Sequence, residues 1–255
     1  MKAYLQHLVV DLKNFSKSLD KKSILIDKPW ALIDSDMEIQ KLIFKKNNEL
    51  IMSKDGQVVI GSWDYLPEAR SLLIDRGKDK ILCNEGFIDE AVMVLKMDGT
   101  KNNFFVLANE NIIPDLNVYK YLKELRYRNL NVTIRKLTDG KILEIIQEKT
   151  DFGNPRIGNP VTIEAENIPD GAYKIEKSDR KFIIKNSVIC DILHEVGYET
   201  KTGINIMIEQ KDQYYYRSGD NVWVNGVMAP DGEYKIIGRR KIIVKDGKIF
   251  KKKIF

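Results

Sequence analysis

Cys190 and His194 are the two side chains whose types and spacing could do chemistry together. The apolar positions around them, with Gly197 at the end, predict a short helix over residues 189–197. Residues four apart share a helix face, so the thiol and imidazole would form a nucleophile–base pair or half of a metal site. Both also lie in the apolar stripe of that helix, and no third or fourth ligand accompanies them. We therefore expect them to pack in the core and predict neither a catalytic residue nor a metal site.

Two groups of acids could bind a cation. Asp34, Asp36 and Glu38 alternate along the chain, so on a strand their carboxylates would point to one face. A solvated strand end gives the same pattern, and the group lacks the turn glycine and the bidentate glutamate of an EF-hand loop. We expect a solvated strand end. The same two interpretations apply to a second group, which consists of Glu85, Asp89 and Glu90.

The motifs of common enzyme classes are absent from the sequence. It has no Gly-x-x-x-x-Gly-Lys-Ser/Thr loop for ATP and no Gly-x-Gly-x-x-Gly turn for a dinucleotide. It has neither the Gly-x-Ser-x-Gly elbow nor a His-Glu-x-x-His pair, and it contains two histidines in all. A hydrolase would have to rely on carboxylates alone, and the sequence nominates no such pair. We predict a protein that is not an enzyme and has no cofactor.

Positive charge is concentrated at the C-terminal end. Residues 236–255 contain eight Lys and Arg against one acid, while the whole chain has a net charge of +5. Alternation with apolar residues predicts one charged face of a terminal hairpin. That face could bind phosphates or an acidic partner, or it could protect an edge strand from aggregation without any other role. The candidate binding residues here are Arg239, Arg240, Lys241, Lys251, Lys252 and Lys253.

An aromatic cluster precedes the basic segment. Tyr214, Tyr215 and Tyr216 are followed by Arg217, and Trp223 belongs to the next predicted strand. Aromatic rings beside an arginine can stack on bases or form the centre of a protein interface. On a strand, Tyr214 and Tyr216 would share one face and Tyr215 the other, so part of the cluster must be core. The candidate binding residues here are Tyr214, Tyr216, Arg217 and Trp223.

The elements that position these residues begin with an N-terminal β domain. Apolar positions three and four apart predict an amphipathic helix over residues 1–22. Residues 23–130 contain short β-prone runs separated by turn signals, followed after Pro114 by a second helical pattern that ends near Arg128. They predict an antiparallel meander or barrel, with strands near 39–46, 49–54, 57–65, 70–76, 79–84, 90–96 and 103–109.

Residues 131–255 predict a second β domain that contains an internal repeat. Two strands, at 130–137 and 141–147, precede a loop rich in Gly, Asn and Pro over residues 151–160. Segments 158–189 and 219–249 then match each other at an offset of 61 residues, which becomes 60 in their last part. Each contains a Pro-Asp-Gly turn, in which proline sets φ and glycine supplies a positive φ. The predicted fold class is mainly β, with few short helices.

Composition supports a globular protein. The chain has 255 residues, of which 43% are hydrophobic and 31% are charged. No apolar run reaches the roughly 18 to 20 residues of a membrane-spanning helix, and the N-terminus lacks the apolar stretch and cleavage site of a signal peptide. Two cysteines make no disulfide framework. We therefore expect a cytoplasmic protein without a membrane span.

Two parts of the chain resemble known proteins. Over about residues 28–110, the stretch Lys28-Pro-Trp30 to Leu42-Ile-Phe44, then Gly61-Ser-Trp-Asp-Tyr65 and Ser71-Leu-Leu-Ile-Asp75, resembles the bacterial lipocalin-like domains. This resemblance implies a small barrel without catalytic residues that could bind a ligand. The Pro-Asp-Gly-x-Tyr-Lys-Ile and Val-Lys-Asp-Gly-Lys-Ile units within residues 158–249 are similar to short β-hairpin repeats of bacterial and phage structural proteins.

These observations leave three functions open. We favour a non-enzymatic binding or structural module that acts through contacts with another protein. The first alternative is nucleic-acid binding through the basic C-terminal face together with the aromatic cluster. The second is a small-ligand carrier that uses the interior of the N-terminal barrel, because an eight-stranded barrel is filled by side chains or holds one ligand.

Overall fold

The computed structural model describes residues 7–8, 10–13, 21–33, 39–100, 103–151, 153–239 and 241–253. The chain forms two compact units, Met1–Leu130 and Asn131–Phe255. Both are built largely from antiparallel strands, which confirms the predicted mainly-β fold class. Within the helix predicted over residues 1–22, the described residues 7, 8 and 10–12 are helical.

Eight antiparallel strands close into a barrel in the N-terminal unit. Each strand pairs with the next along the chain, and the first also pairs with the last, with Trp30 opposite Asn109. The predicted meander is therefore a closed barrel. Its strands are β1 (Trp30–Ile33), β2 (Ile39–Phe44), β3 (Glu49–Lys54), β4 (Gln57–Leu66), β5 (Ser71–Asp75), β6 (Lys80–Ile88), β7 (Val92–Met97) and β8 (Phe104–Asn109).

The strand that closes the barrel, β1, is one that the sequence patterns do not predict. It has four residues and directly follows Pro29, so it is too short to show the alternation that marks a strand. Trp30 and Ala31 are fully buried, and the strand pairs with β2 on one side and β8 on the other. Because β1 pairs on both sides, the unit is a closed barrel of eight strands, whereas the sequence predicts a meander of about seven.

Apolar side chains fill the interior of the barrel. The helix α1 (Lys21–Leu25) contributes Ile24 and Leu25 to this core. The indole Nε1 of Trp30 donates to the carbonyl oxygen of Leu25 (3.1 Å), which joins α1 to the first strand. The other buried residues of the core are Leu42, Phe44, Leu50, Met52, Trp63, Tyr65, Leu72, Ile74, Cys83, Ile88, Met93, Leu95, Phe105 and Leu107.

A second helix, α2 (Val118–Asn129), follows the barrel strands. The side chain of Asn117 caps its N-terminus by accepting a hydrogen bond from a backbone N–H of the first turn (3.0 Å). Its buried face carries two apolar residues and Arg126. The Nε of this fully buried arginine donates to Asp11 Oδ2 (2.6 Å), so the last turn of α2 is tied to the N-terminal segment.

Gly61 lies where β4 meets β5, and its lack of a side chain lets the two backbones approach. A Cβ at this position would lie 2.2 Å from the carbonyl oxygen of Asp75. We expect Gly61→Ala to lower the free energy of unfolding of the barrel by about 2 kcal/mol, because the backbone must shift. Urea unfolding checks this value. Gly197→Ala is the matched control, since a Cβ on that strand glycine meets nothing within 4 Å, and equal losses in both variants would refute the steric explanation.

The C-terminal unit contains two sheets and two apolar cores. A three-stranded sheet has the order β11-β10-β9, and a nine-stranded sheet has the order β12-β13-β14-β15-β16-β20-β19-β18, with β17 paired to β16. One core includes Phe182 and the other includes Val222. The elements are β9 (Val132–Lys136), β10 (Ile142–Ile146), a 3-10 turn (Lys149–Asp151), β11 (Val161–Thr162), β12 (Gly171–Lys174), β13 (Arg180–Lys185), β14 (Val188–Glu199), β15 (Asn205–Gln210), β16 (Asn221–Val224), β17 (Val227–Met228), β18 (Gly232–Lys235), β19 (Lys241–Lys245) and β20 (Lys248–Lys253).

Two hairpins of this unit make the same contact at their Pro-Asp-Gly turns. In each, a tyrosine hydroxyl donates to the carbonyl oxygen of the proline four residues earlier. Tyr173 donates to Pro169 (2.7 Å), and Tyr234 donates to Pro230 (2.9 Å). Each tyrosine therefore fastens the start of its hairpin to the turn.

The helix predicted over residues 189–197 is wrong, because this segment belongs to the twelve-residue strand β14. A β-bulge at Cys190 places one extra residue in the strand, so Ile189 and Ile192 both face the core although they are three residues apart. That spacing imitates a helical stripe. The register of β20 shifts in the same way beside Phe250.

A cationic groove in the C-terminal unit

An open groove of about 680 Å³ lies in the second half of the C-terminal unit. Four separate segments supply its walls: the β14–β15 turn, the loop between β15 and β16, the β18–β19 turn and strand β20. The described residues that line it are Lys201, Tyr215, Tyr216, Ile236, Gly238, Arg239 and Lys252. The groove therefore brings together part of the predicted aromatic cluster and part of the predicted basic face.

The tyrosine segment is a loop, so its predicted alternation as a strand is wrong. Residues 211–220 lie between β15 and β16 without strand pairing. Tyr214 and Tyr215 are both exposed, at 66% and 63%, whereas Tyr216 is 5% exposed and belongs to the core. The ring of Tyr216 meets the ring of Tyr198 edge to face, with centroids 5.4 Å apart. The buried Tyr216 and the partly buried Tyr198 therefore form an aromatic pair, which we call the aromatic floor.

Two cations of the groove are held in place by this aromatic floor. The guanidinium of Arg239 lies 5.7 Å from the ring centroid of Tyr198, and one of its N–H groups donates to the carbonyl oxygen of Tyr214 (3.2 Å). The ammonium of Lys252 lies 4.8 Å from the ring centroid of Tyr216 and donates to the carbonyl oxygen of the same residue. Cation–π contacts of this kind fix a charged group while leaving other N–H donors to solvent.

Three other lysines of the predicted basic face point away from the groove; we call Lys241, Lys251 and Lys253 the outer lysines. In β20, Lys252 lies opposite the core residue Ile242, so its neighbours on either side face the opposite surface. Two of the outer lysines form ion pairs with Glu233, Lys241 at 2.5 Å and Lys253 at 3.0 Å. Their hydrogen bonds lower the pKa of the Glu233 carboxyl to about 2. The predicted single basic face is therefore divided between two surfaces.

Among the other predicted binding residues that the structure describes, Tyr214, Arg217 and Trp223 do not line the groove. Trp223 follows Val222, a fully buried core residue of β16, so its indole lies on the other face of the sheet. Arg217 forms a long ion pair with Asp212 (4.0 Å). Arg240 lies outside the residues that the structure describes.

The sequence patterns do not identify Lys201, Tyr215, Ile236 or Gly238 as groove residues. Lys201 lies shortly after β14, in a segment that no motif marks. Tyr215 belongs to the predicted cluster, but strand alternation left open which of its tyrosines are core, and alternation does not apply in a loop. The run of three tyrosines before an arginine and the basic C-terminal segment are the two sequence signals that indicate part of this site.

Cys190 and His194 do not form a reactive pair. Cys190 is exposed at the bulge, while His194 is buried, and four residues of extended strand separate them by roughly 13 Å. The Nδ1 of His194 contacts Asp179 Oδ2 (2.7 Å). Burial raises the pKa of Asp179, but its hydrogen bonds, with that from His194 first, and nearby positive charge together outweigh burial, so the pKa is lowered. The imidazole therefore makes a local hydrogen bond with Asp179.

The acids Glu85 and Asp89 have separate partners. Glu85 forms an ion pair with Lys21 of α1 and accepts a hydrogen bond from the hydroxyl of Tyr65 (3.4 Å). Asp89 Oδ2 accepts a hydrogen bond from the hydroxyl of Tyr121 in α2 (2.7 Å). Across the described ranges, no three His, Cys, Asp or Glu side chains converge on a place for a metal ion. The other predicted acids, Asp34, Asp36 and Glu38, lie outside the described residues.

The two cysteines are expected to differ sharply in reactivity. Cys83 is fully buried in the barrel, and burial raises the pKa of its thiol to about 11, so the reactive thiolate is scarce at neutral pH. Cys190 is exposed. We expect a thiol reagent at neutral pH to modify Cys190 quickly and Cys83 only after unfolding. Mass spectrometry after timed labelling checks this, and rapid modification of Cys83 in the folded protein would contradict it.

Comparisons with known proteins add no relative. No protein-family model, no curated protein and no solved structure matches the chain. Among the helices that the structure describes, none combines the length and apolar character needed to cross a membrane.

Proposed function

We propose that the protein is a non-enzymatic binding module whose groove takes an acidic segment of another protein. The lining of the groove carries this proposal. Three cations, Lys201, Arg239 and Lys252, surround tyrosine rings, and no carboxylate is among the described lining residues. A concave surface with one sign of charge attracts and orients a partner of the opposite sign.

The arrangement of the groove cations also favours binding. Arg239 and Lys252 are already fixed by ring contacts and by backbone carbonyl groups, so binding costs less side-chain entropy. A guanidinium has five N–H donors and an ammonium three, so each cation keeps donors for a carboxylate. Hydrogen bonds between such charged groups are the strong ones at interfaces.

Single-stranded nucleic acid has less support at this site. Bases bind such surfaces by stacking in succession on exposed aromatic faces. The buried Tyr216 offers no such face, and the exposed rings of Tyr214 and Tyr215 meet at 66° with centroids 6.5 Å apart. These two rings therefore do not offer parallel faces on which successive bases could stack. An acidic protein segment does not require stacking, because its carboxylates pair with the cations directly.

A ligand carrier also has less support than a protein-binding module. The closed antiparallel barrel supports a lipocalin-like fold for the N-terminal unit, as the sequence resemblance implies. Its interior holds large buried side chains such as Trp30, Phe44 and Trp63. A barrel of eight strands is just wide enough for side chains to fill. We therefore assign the barrel a scaffold role.

We also infer that the two halves of the C-terminal unit are copies of one unit and that the second copy alone carries the groove. The matching Tyr–Pro contacts and bulges support this inference. So do the isolated bridges Leu137–Ile175 and Thr200–Ile236, which link corresponding segments. The residues 60 or 61 positions before Tyr216, Arg239 and Lys252 are Pro155, Ser178 and Ile192. The first half thus lacks counterparts of Tyr216, Arg239 and Lys252.

The proposal is tested with a labelled poly-glutamate peptide and two adjacent substitutions. Lys252→Gln removes a groove cation, and Lys251→Gln removes an equal charge from the other surface. We expect Lys252→Gln to weaken binding about tenfold, because a charged hydrogen bond is lost, and Lys251→Gln to change it less than about twofold. Fluorescence anisotropy gives both dissociation constants.

Two results would refute the proposal. Equal weakening of binding by the two substitutions would show that the peptide responds to the net charge of the protein and does not bind in the groove. Tighter binding of an oligothymidylate of matched charge, with the loss again confined to Lys252→Gln, would assign the groove to nucleic acid instead.

A further inference from the structure

Residues 57–60 of β4 form a strand edge that no described strand covers, and we call them the edge segment. β4 pairs with β3 from Gln57 onward, whereas β5 pairs only with residues 62–66. The β3–β4 hairpin therefore projects beyond β5. The side chains of Val58, Val59 and Ile60 are 61%, 52% and 64% exposed. This is a run of three consecutive apolar residues open to solvent on both faces of the strand.

The backbone of the edge segment has unused hydrogen-bonding groups. In an antiparallel strand, successive residues direct their N–H and C=O groups alternately to the two neighbours. The N–H of Trp63 donates toward β3, to the carbonyl oxygen of Asn48 (2.9 Å). By alternation, residues 59 and 61 also bond toward β3, and Val58 and Ile60 direct their backbone groups to the open edge. Each chain therefore presents two N–H and two C=O groups there.

The edge segment lacks the features that normally prevent strand edges from pairing. Its sequence, Gln-Val-Val-Ile, contains no charge and no proline, and its register with β3 is free of bulges. The adjacent Val58, Val59 and Ile60 are β-branched residues that favour extended structure. The contrast with β20 is direct, because the exposed end of that strand carries three lysines.

We propose that the edge segment pairs with the edge segment of a second copy of this chain, antiparallel about a two-fold axis through Val59. In this register Val58 of each copy lies opposite Ile60 of the other, and Val59 lies opposite its counterpart. Four hydrogen bonds then use all the open N–H and C=O groups of both segments. The segment is its own complement in this register and opposes no charges, which is why we assign a second copy as the occupant.

The expected dimer is weak. A ladder of three residues per chain, Val58 to Ile60, covers far less than the roughly 1,000 Å² that a stable interface buries. Association should therefore depend on concentration and should grow with any other link between the two chains. This surface belongs to the barrel and is independent of the groove proposed above.

A charge-swap experiment tests the dimer and its register. Sedimentation velocity of the full chain up to about 1 mM measures self-association. We expect Ile60→Lys alone and Val58→Glu alone each to weaken it about tenfold, since each places an unpaired charge on the edge. A mixture of the two variants should regain most of the wild-type association, because the new ammonium and carboxylate face each other across the axis. Val227→Lys is the matched control, with a side chain 64% exposed in the other unit.

Three outcomes would overturn the inference. The wild type could remain monomeric over the whole series. Association could persist equally in all variants, which would place the contact elsewhere. The mixture could associate no better than either variant alone, which would show that another register or a foreign strand occupies the edge.

Discussion

Replacement of Trp30 by alanine is expected to lower the free energy of unfolding of the barrel by about 4 kcal/mol. The indole is fully buried in the barrel core, and its Nε1 donates to the carbonyl oxygen of Leu25 (3.1 Å). The substitution therefore removes a large apolar surface and leaves a cavity. It also breaks the hydrogen bond that holds α1 against the first strand. Hydrogen exchange at barrel amides, such as those of Leu95 and Leu107, measures the loss within this unit.

A second tryptophan provides the comparison for this prediction. Trp223 lies in the C-terminal unit and is only partly buried. Trp223→Ala should leave the exchange of the barrel amides unchanged, because the substitution lies in the other compact unit. A loss below about 1 kcal/mol for Trp30→Ala would mean that the barrel does not depend on the closing strand as described.

Lys181→Met is expected to lower the free energy of unfolding of the C-terminal unit by about 2 kcal/mol. The ammonium of Lys181 bridges the carboxylates of Glu195 (3.0 Å) and Glu209, and the side chains of all three are mostly buried. Removing the shared cation takes the charged donor from Glu209 and leaves it a neutral donor such as Asn221 Nδ2 (2.9 Å). Loss of one member of a fully buried ion pair costs roughly 3 to 5 kcal/mol, and partial exposure reduces this value. Methionine keeps the apolar stem, so the effect isolates the charge.

The effect of Lys181→Met should depend on pH. Burial raises the pKa values of Glu195 and Glu209, but their hydrogen bonds, chiefly from lysines, and the lysine charges together outweigh burial and leave both below their ordinary value of 4.5. A carboxyl with a lowered pKa stabilises the folded state above its unfolded pKa, and this contribution disappears as the pH falls. The difference between wild type and variant should thus be full at neutral pH and shrink toward about pH 3.

Urea unfolding at neutral pH and at about pH 3 checks both statements about Lys181. The matched control is Lys185→Met, which removes the same charge from an exposed position on the same strand. A pH-independent difference between wild type and Lys181→Met would show that the charge network is not its cause. An equal loss in the control would lead to the same conclusion.

The sequence could predict the strands that turns delimit. Asp-Gly pairs and alternating apolar residues mark hairpins locally, so the barrel strands from β2 onward lie near their predicted positions. The strand β1 has too few residues for a pattern. The strand β14 has a pattern that misleads, because its bulge at Cys190 spaces Ile189 and Ile192 as a helix would. Bulges are set by pairing with a partner strand, which a single segment does not reveal.

The groove could be predicted only in part. Its residues come from four segments, and the chain between Lys201 and Lys252 must fold before they meet. The sequence shows which segments are basic or aromatic, but it predicts that all the lysines share one face. In the structure, strand alternation in β20 places Lys252 on one surface and its neighbours on the other. Glu233, which no sequence pattern links to the lysines, forms ion pairs with two of the outer lysines. Which cations remain available to a partner is therefore a property of the tertiary structure.

The most direct test of the groove as the binding site is a map of backbone amide shifts in NMR spectra during titration with the poly-glutamate peptide. We expect the largest shifts on the residues that line the groove, with Tyr215 and Arg239 foremost. The outer lysines should move little, because they lie on the opposite surface and two of them are paired with Glu233. Shifts concentrated on the outer lysines, or spread evenly over both surfaces, would contradict the assignment of the groove.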